Sequence, residues 1–162
     1  MRKINIVMGM LLLGWTIVGC NKVEGVESQY KTESLVGYMV IEKDKLYLDE
    51  VEIIIGEDQE RIKELGLVEE NDLPNGYYIH NLEVQNESFQ LTNDTIYGFT
   101  DDELLFVKDA ESNRFYETTN LEEFLEGSSY QEVPLEQQKI PYFIEVYDGK
   151  VIRVTEEFIY TQ

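Results

Sequence analysis

The chain has few of the residues that build common catalytic and metal-binding sites. Its 162 residues include one cysteine, Cys20, and one histidine, His80. A single cysteine excludes a disulfide framework within the chain. Zinc and iron–sulfur centres need several Cys or His ligands, so none is expected. The sequence also lacks a G-x-S-x-G nucleophile motif and a glycine-rich phosphate loop. We therefore expect a protein that is not an enzyme.

Positive charge is scarce as well. The chain has 13 Lys and Arg against 33 Asp and Glu, for a formal net charge of −20. This charge repels nucleic-acid phosphates and anionic lipid headgroups, so neither is an expected direct partner. It favours solubility and would attract cations or a basic partner.

The longest apolar run lies at the N-terminus. Arg2 and Lys3 precede an uncharged stretch, residues 4–18, which ends at Gly19-Cys20. A bilayer span needs about 20 apolar residues, so this stretch is short for a transmembrane helix. This pattern is typical of a secretory signal peptide, which has a positively charged N-terminus, a short apolar run and a small residue at the cleavage site.

The four residues Ile17-Val18-Gly19-Cys20 resemble the lipobox of bacterial lipoproteins. The resemblance implies that residues 1–19 are a signal peptide and that Cys20 is diacylated and becomes the first mature residue. Two acyl chains give stable membrane attachment. The expected location is therefore extracytoplasmic, on a membrane reached through the lipid on Cys20.

The rest of the chain divides into a tether and a domain. Residues 20–34 are polar without a clear period and are predicted to be flexible. Residues 35–162 have the length of one domain, with apolar and aromatic residues throughout. Two short helices are predicted at residues 56–66 and 120–127, from their apolar spacing and closing glycines.

Most other segments have the composition of strands. Asp148-Gly149 predicts a two-residue hairpin turn that pairs Val146 with Val151 and Phe143 with Val154. Gly37 predicts a bulge or bend in the first strand. The predicted strands cover residues 35–41, 46–55, 77–82, 89–91, 95–99, 104–107, 113–116, 141–147 and 150–155.

This pattern predicts an α+β, mostly β fold: a small antiparallel barrel or a strongly bent sheet with two short helices. The order of strands, a helix and two further strands is similar to the oligonucleotide/oligosaccharide-binding (OB) barrel. Such an analogy carries no function. In addition, the stretch from Gly37-Tyr38 through residues 48–51 and 74–81, with the closing segment 141–157, resembles an uncharacterised family of secreted domains from Gram-positive bacteria. That resemblance covers about residues 36–160 and implies no activity.

Two sets of side chains are candidate sites. Acidic and amide residues in two loops could hold calcium if the loops meet, although solvated loops are the alternative; they are Asn93, Asp94, Asp101, Asp102 and Glu103. Five tyrosines in or beside predicted strands could stack on a ligand if they share an exposed face, or could instead pack the core and its rim; they are Tyr77, Tyr78, Tyr97, Tyr142 and Tyr147.

Three functions follow from these features. The first is a membrane-anchored, non-catalytic binding domain for a protein, peptide or glycan. The second is a calcium-dependent accessory domain. The third is a hydrolase that uses two carboxylates. With 33 acidic residues in the chain, some pair at a suitable separation is inevitable, so the presence of such a pair is not informative.

Overall fold

A computed structural model describes residues 31–81, 84–108 and 113–161. Cys20 and the predicted signal peptide lie outside these residues. Nine strands alternate with short helices and turns. The strands are β1 (Glu33–Glu42), β2 (Lys45–Glu50), β3 (Glu52–Ile55), β4 (Tyr77–His80), β5 (Glu87–Gln90), β6 (Ile96–Thr100), β7 (Phe115–Thr118), β8 (Tyr142–Tyr147) and β9 (Lys150–Glu156). The helices are α1 (Gln59–Leu65), α2 (Glu69–Asp72) and α3 (Leu121–Gly127), and two 3-10 turns cover Leu135–Gln137 and Phe158–Tyr160.

Seven strands form one sheet in the order β5-β2-β1-β8-β9-β6-β7. A parallel bridge between Gln90 of β5 and Lys150 of β9 joins the first and the fifth strands of this order. The first five strands of the sheet therefore form a closed ring. The predicted mostly β fold with a strongly bent sheet is confirmed, although the ring is not a regular barrel. β6 also pairs with β9 in parallel, whereas the other strand pairs of this sheet are antiparallel.

A second sheet contains only β3 and β4. The sequence predicts one strand over residues 46–55, but this strand divides at Val51. Val51 is buried and donates its amide to the Val36 carbonyl at 2.9 Å. The chain then leaves the ring to pair with β4. A small cluster of Ile54, Ile62 and Leu73 packs this second sheet against α1 and the segment after α2.

Gly37 is where β1 changes its partner. Residues 33–37 pair with β8, and residues 37–42 pair with β2. A Cβ atom on Gly37 would lie 2.3 Å from the Asp49 carbonyl oxygen. The missing side chain therefore permits the close approach of β1 and β2.

The closing hairpin has the predicted turn but a different register. Asp148 and Gly149 both have positive φ, at 51° and 72°, and Val146 opposes Val151. Phe143 opposes Thr155, so the predicted pairing with Val154 is wrong. The cause is an irregularity that leaves Ile152 without a partner. It lets Val151 and Val154 both face the core, three residues apart.

The helices include one that the sequence did not predict. Residues 69–72 read as a charged loop, but they form the single turn α2. The predicted helices are present as α1, capped by the Asp58 side chain, and α3, capped by the Asn120 side chain. None of the helices in the described ranges is long and apolar enough to cross a bilayer.

Candidate functional site

The predicted calcium ligand Asp101 has a structural role. It is buried, and its carboxylate accepts the backbone amides of Leu105, Phe106 and Val107 at 2.7–2.9 Å. Burial alone would raise its pKa, but these hydrogen bonds outweigh burial and the pKa is lowered. The chain bends around this carboxylate, which explains why the strand predicted at residues 104–107 is absent.

The two predicted calcium loops do not meet. Asn93 and Asp94 precede β6, whereas Asp101, Asp102 and Glu103 follow it. Extended chain rises about 3.3 Å per residue, so the five residues of β6 keep these two loops at opposite ends of a strand about 13 Å long. The five-residue set is therefore wrong as a single site. Within the described residues, no group of three or more His, Cys, Asp or Glu side chains could hold a metal ion.

Two of the five candidate tyrosines belong to the core. Tyr97 and Tyr142 are 2% and 0% exposed, so an exposed binding role is wrong for both. Tyr97 stacks on Phe124 with ring centroids 5.1 Å apart, and burial raises its pKa to about 12. Strand alternation explains the placement, since Tyr97 and Phe99 of β6 and Tyr142, Ile144 and Val146 of β8 all face inward.

The other three tyrosines lie in different places. Tyr147 is exposed beside the hairpin turn, and Tyr78 packs against the small cluster under the second sheet. Tyr77, the first residue of β4, contacts Tyr160 near the end of the chain. The five tyrosines therefore do not form one face, but Tyr77 lines a cleft that the prediction did not describe.

This Tyr77–Tyr160 cleft has a volume of about 300 Å³. The ring of Tyr160 lies between Tyr77 and Phe143, with centroid distances of 4.8 Å and 5.8 Å. The Tyr77 contact is edge-to-face, at 84°. Burial raises the pKa of Tyr160, and the Glu157 charge and Tyr77 raise it further. The residues around the cleft are Tyr77, Gln131, Gln138, Lys139, Ile140, Tyr160 and Thr161.

One wall of this cleft is an ordered loop. Gln138 is buried, and its amide nitrogen donates to the carbonyl oxygens of Gln131 and Val133 at 2.7 Å and 3.2 Å. The sequence predicts a plain polar loop over residues 128–139. The signals that could have indicated the cleft are the glutamines of this loop and a tyrosine near the chain end.

The charge around the cleft differs from that of the chain as a whole. None of the described residues that line it is acidic, although 33 of the 162 residues of the chain are, and the Glu157 charge acts on Tyr160 from outside this lining. Its one charged residue, Lys139, is exposed and makes no ion pair with any residue that the structure describes. The cleft is therefore suited to a neutral or anionic ligand.

A second, larger cleft of about 480 Å³ lies where the two sheets meet, beside Val51. We call it the junction cleft. It is lined by Glu50, Val51, Glu52, Arg61, His80, Asn81 and Gln85. Arg61 donates from Nε and Nη2 to the Glu52 carboxylate at 2.8–3.1 Å and from Nη1 to Glu64 at 2.6 Å. Hydrogen bonds from Arg61 lower the pKa of Glu52.

The buried carboxylate of Asp49 fixes the other side of the junction cleft. It accepts the Asn81 side-chain amide and the Gln85 backbone amide, both at 2.7 Å. His80 opposes Glu52 across the second sheet. Its Nε2 atom is buried and has no hydrogen-bond partner among the described residues. Asp49 of β2 thus holds the chain segment that follows β4 and so joins the two sheets, whereas Arg61 links α1 to β3 of the second sheet.

Comparison with protein-family models, curated proteins and solved structures gives no significant match. The resemblance to a family of secreted domains therefore stays a prediction.

Proposed function

We propose that this protein is an extracytoplasmic lipoprotein, anchored through Cys20, whose folded domain binds a partner without catalysis. We propose the Tyr77–Tyr160 cleft as the binding site. The observation that supports this site most directly is its lining: the described residues around it include a lysine, two tyrosines and two glutamines but no acidic residue, although the chain as a whole is strongly acidic.

The roles of two buried aspartates support binding over carboxylate hydrolysis. Asp49 and Asp101 are the buried aspartates of the described residues. Each accepts hydrogen bonds from protein amides, and those bonds hold the chain segments after β4 and β6. The buried carboxylate of Glu156 likewise accepts the backbone amide of Ser129. Their carboxylates are thus engaged in structure.

The anchor is tested by mass spectrometry of the protein extracted from membranes. The mature chain should begin at Cys20 and carry the mass of its acyl chains. Cys20→Ser should lose both the lipid mass and membrane retention, whereas the control Ser28→Ala in the tether should keep them. A mature chain that begins at Val23 or later without lipid would refute the anchor.

The binding site is tested by affinity capture from envelope extract with immobilised protein that starts at residue 21 and contains every described residue. Tyr160→Ala should lose the captured component. Tyr147→Ala removes an exposed tyrosine outside the cleft and should retain it. Equal capture by both variants would place binding elsewhere on the domain.

A further inference from the structure

We infer that the Tyr77–Tyr160 cleft takes a pyranose saccharide that carries a carboxylate, such as the uronic-acid unit of an acidic glycan. This inference rests on the proposed binding function and names the ligand class of the same site.

The charge of the cleft sets it apart from other clefts in the described structure. Glu50 and Glu52 line the junction cleft, and Glu42 and Glu136 line a cleft beside Val40. A further cleft beside Leu91 contains Asp44. Among the described residues that line the Tyr77–Tyr160 cleft, the charged one is Lys139, and no ion pair with a described residue occupies its ammonium, which carries three N–H donors for an anionic ligand. An anion that the rest of the surface repels would therefore be directed to this cleft.

The rings define the shape of the ligand. Tyr77 and Tyr160 are half-buried, and their edge-to-face contact fixes both rings in one orientation. Aromatic faces carry partial negative charge and attract the weakly positive C–H groups of a flat apolar surface. A pyranose ring has such a C–H face and a perimeter of hydroxyl groups. Gln131 lines the same cleft, and its side-chain amide is suited to that perimeter.

The volume limits the length of the ligand. Small-molecule sites in proteins span about 300–1,000 Å³, and this cleft lies at the lower end. It accommodates one or two sugar rings. The expected ligand is therefore the end or a short internal unit of a glycan, with its carboxylate next to Lys139.

The test is a titration of the ¹⁵N-labelled mature chain carrying Cys20→Ser, followed by NMR. The probes are a glucuronic acid–N-acetylglucosamine disaccharide and the neutral disaccharide of N-acetylglucosamine. We expect the acidic probe to shift amide signals around the cleft and to bind at least about tenfold more tightly than the neutral one, a difference of about 1.4 kcal/mol.

Variants separate charge from shape. Lys139→Gln should reduce the affinity for the acidic probe to that for the neutral one, while Lys63→Gln on the exposed face of α1 should leave it unchanged. Both lysines are exposed, so neither change should disturb folding. A tetraglutamate peptide should bind much more weakly than the acidic disaccharide.

Three outcomes would overturn the inference: no binding of the acidic disaccharide, equal affinity in wild type and Lys139→Gln, or peptide binding as tight as saccharide binding. These outcomes are distinct from failure of the proposed function. If capture from envelope extract still depends on Tyr160 while the saccharides do not bind, the binding site stands and the ligand class is wrong.

Discussion

Glu156 and Tyr142 lie directly opposite each other on β9 and β8, and both side chains are buried, at 3% and 0% exposure. The Glu156 carboxylate accepts the Ser129 backbone amide at 3.0 Å. Burial raises the pKa of Glu156 and the Asp102 charge raises it further, against the opposing effect of that hydrogen bond. Burial also raises the pKa of Tyr142, and the Glu156 charge adds to the effect.

The raised pKa of Glu156 predicts a loss of stability with rising pH. The folded state binds this proton more tightly than the unfolded state, whose glutamate has a pKa near 4.5. The contribution of protonated Glu156 to the free energy of unfolding is therefore complete below about pH 4.5, and it is lost as the pH rises through the folded-state pKa. Glu156→Gln should flatten the profile and raise the free energy of unfolding at neutral pH by about 1 kcal/mol.

Urea unfolding at a series of pH values measures this effect. Glu136→Gln, at an exposed position, is the matched control and should follow the wild type. If the profile of Glu156→Gln runs parallel to that of the wild type, Glu156 does not titrate differently in the folded state.

Asp101 should have the opposite pH dependence. Its folded-state pKa is lowered from 3.8, so its contribution is complete above that value and is lost as the pH falls through the folded-state pKa. Asp101→Ala removes the acceptor of three backbone amides and should cost about 3 kcal/mol of unfolding free energy at neutral pH. Glu103→Gln, on the exposed part of the same loop, should change it little. A loss below about 0.5 kcal/mol in Asp101→Ala would contradict the structural role of this carboxylate.

Gly37→Ala should prevent folding or greatly lower the thermal midpoint. The new Cβ would meet the Asp49 carbonyl oxygen at 2.3 Å and the Leu48 side chain at 2.8 Å, and backbone cannot yield as a flexible side chain does. Gly56→Ala is the control, because its Cβ would meet nothing within 4 Å and its φ is not in the left-handed region. Circular dichroism melts compare the two, and similar midpoints would show that β1 and β2 can separate at Gly37 without cost.

Calcium should stabilise the domain no more than magnesium does. The predicted ligand loops lie at opposite ends of β6, and Asp101 is already occupied by backbone amides. Both ions should therefore give only the small rise in thermal midpoint that comes from screening a chain of net charge −20. A rise specific to calcium would reveal a site through linkage, at positions other than the predicted set.

Local rules predicted several elements well. Asp148-Gly149 requires positive φ at both positions, and Asn120 with a following apolar stripe is sufficient to start α3. These signals act within a few residues, so no knowledge of the tertiary structure is needed. The mostly β composition is a signal of the same kind.

The errors concern long-range contacts. The unpaired Ile152, the exit of the chain at Val51 and the bend around Asp101 all depend on partners that local sequence does not specify. The tyrosines show the same limit. The alternation of side chains along a strand places Tyr142 on one face of β8. Only the closed ring of strands determines that this face points into the core. Tyr77 and Lys139 are 62 positions apart, so local sequence does not indicate that they line the same cleft.

The position of β1 within the sheet has a mechanical consequence. β1 is the first described strand, and it lies between β2 and β8 rather than at an edge. A force transmitted along the chain from residues before Glu33 would therefore load several hydrogen bonds to β8 in shear at once, instead of unzipping them one by one. Resistance to forced unfolding depends on the unfolding rate. A domain pulled from this end should resist extension more than the same domain pulled from its edge strand β7.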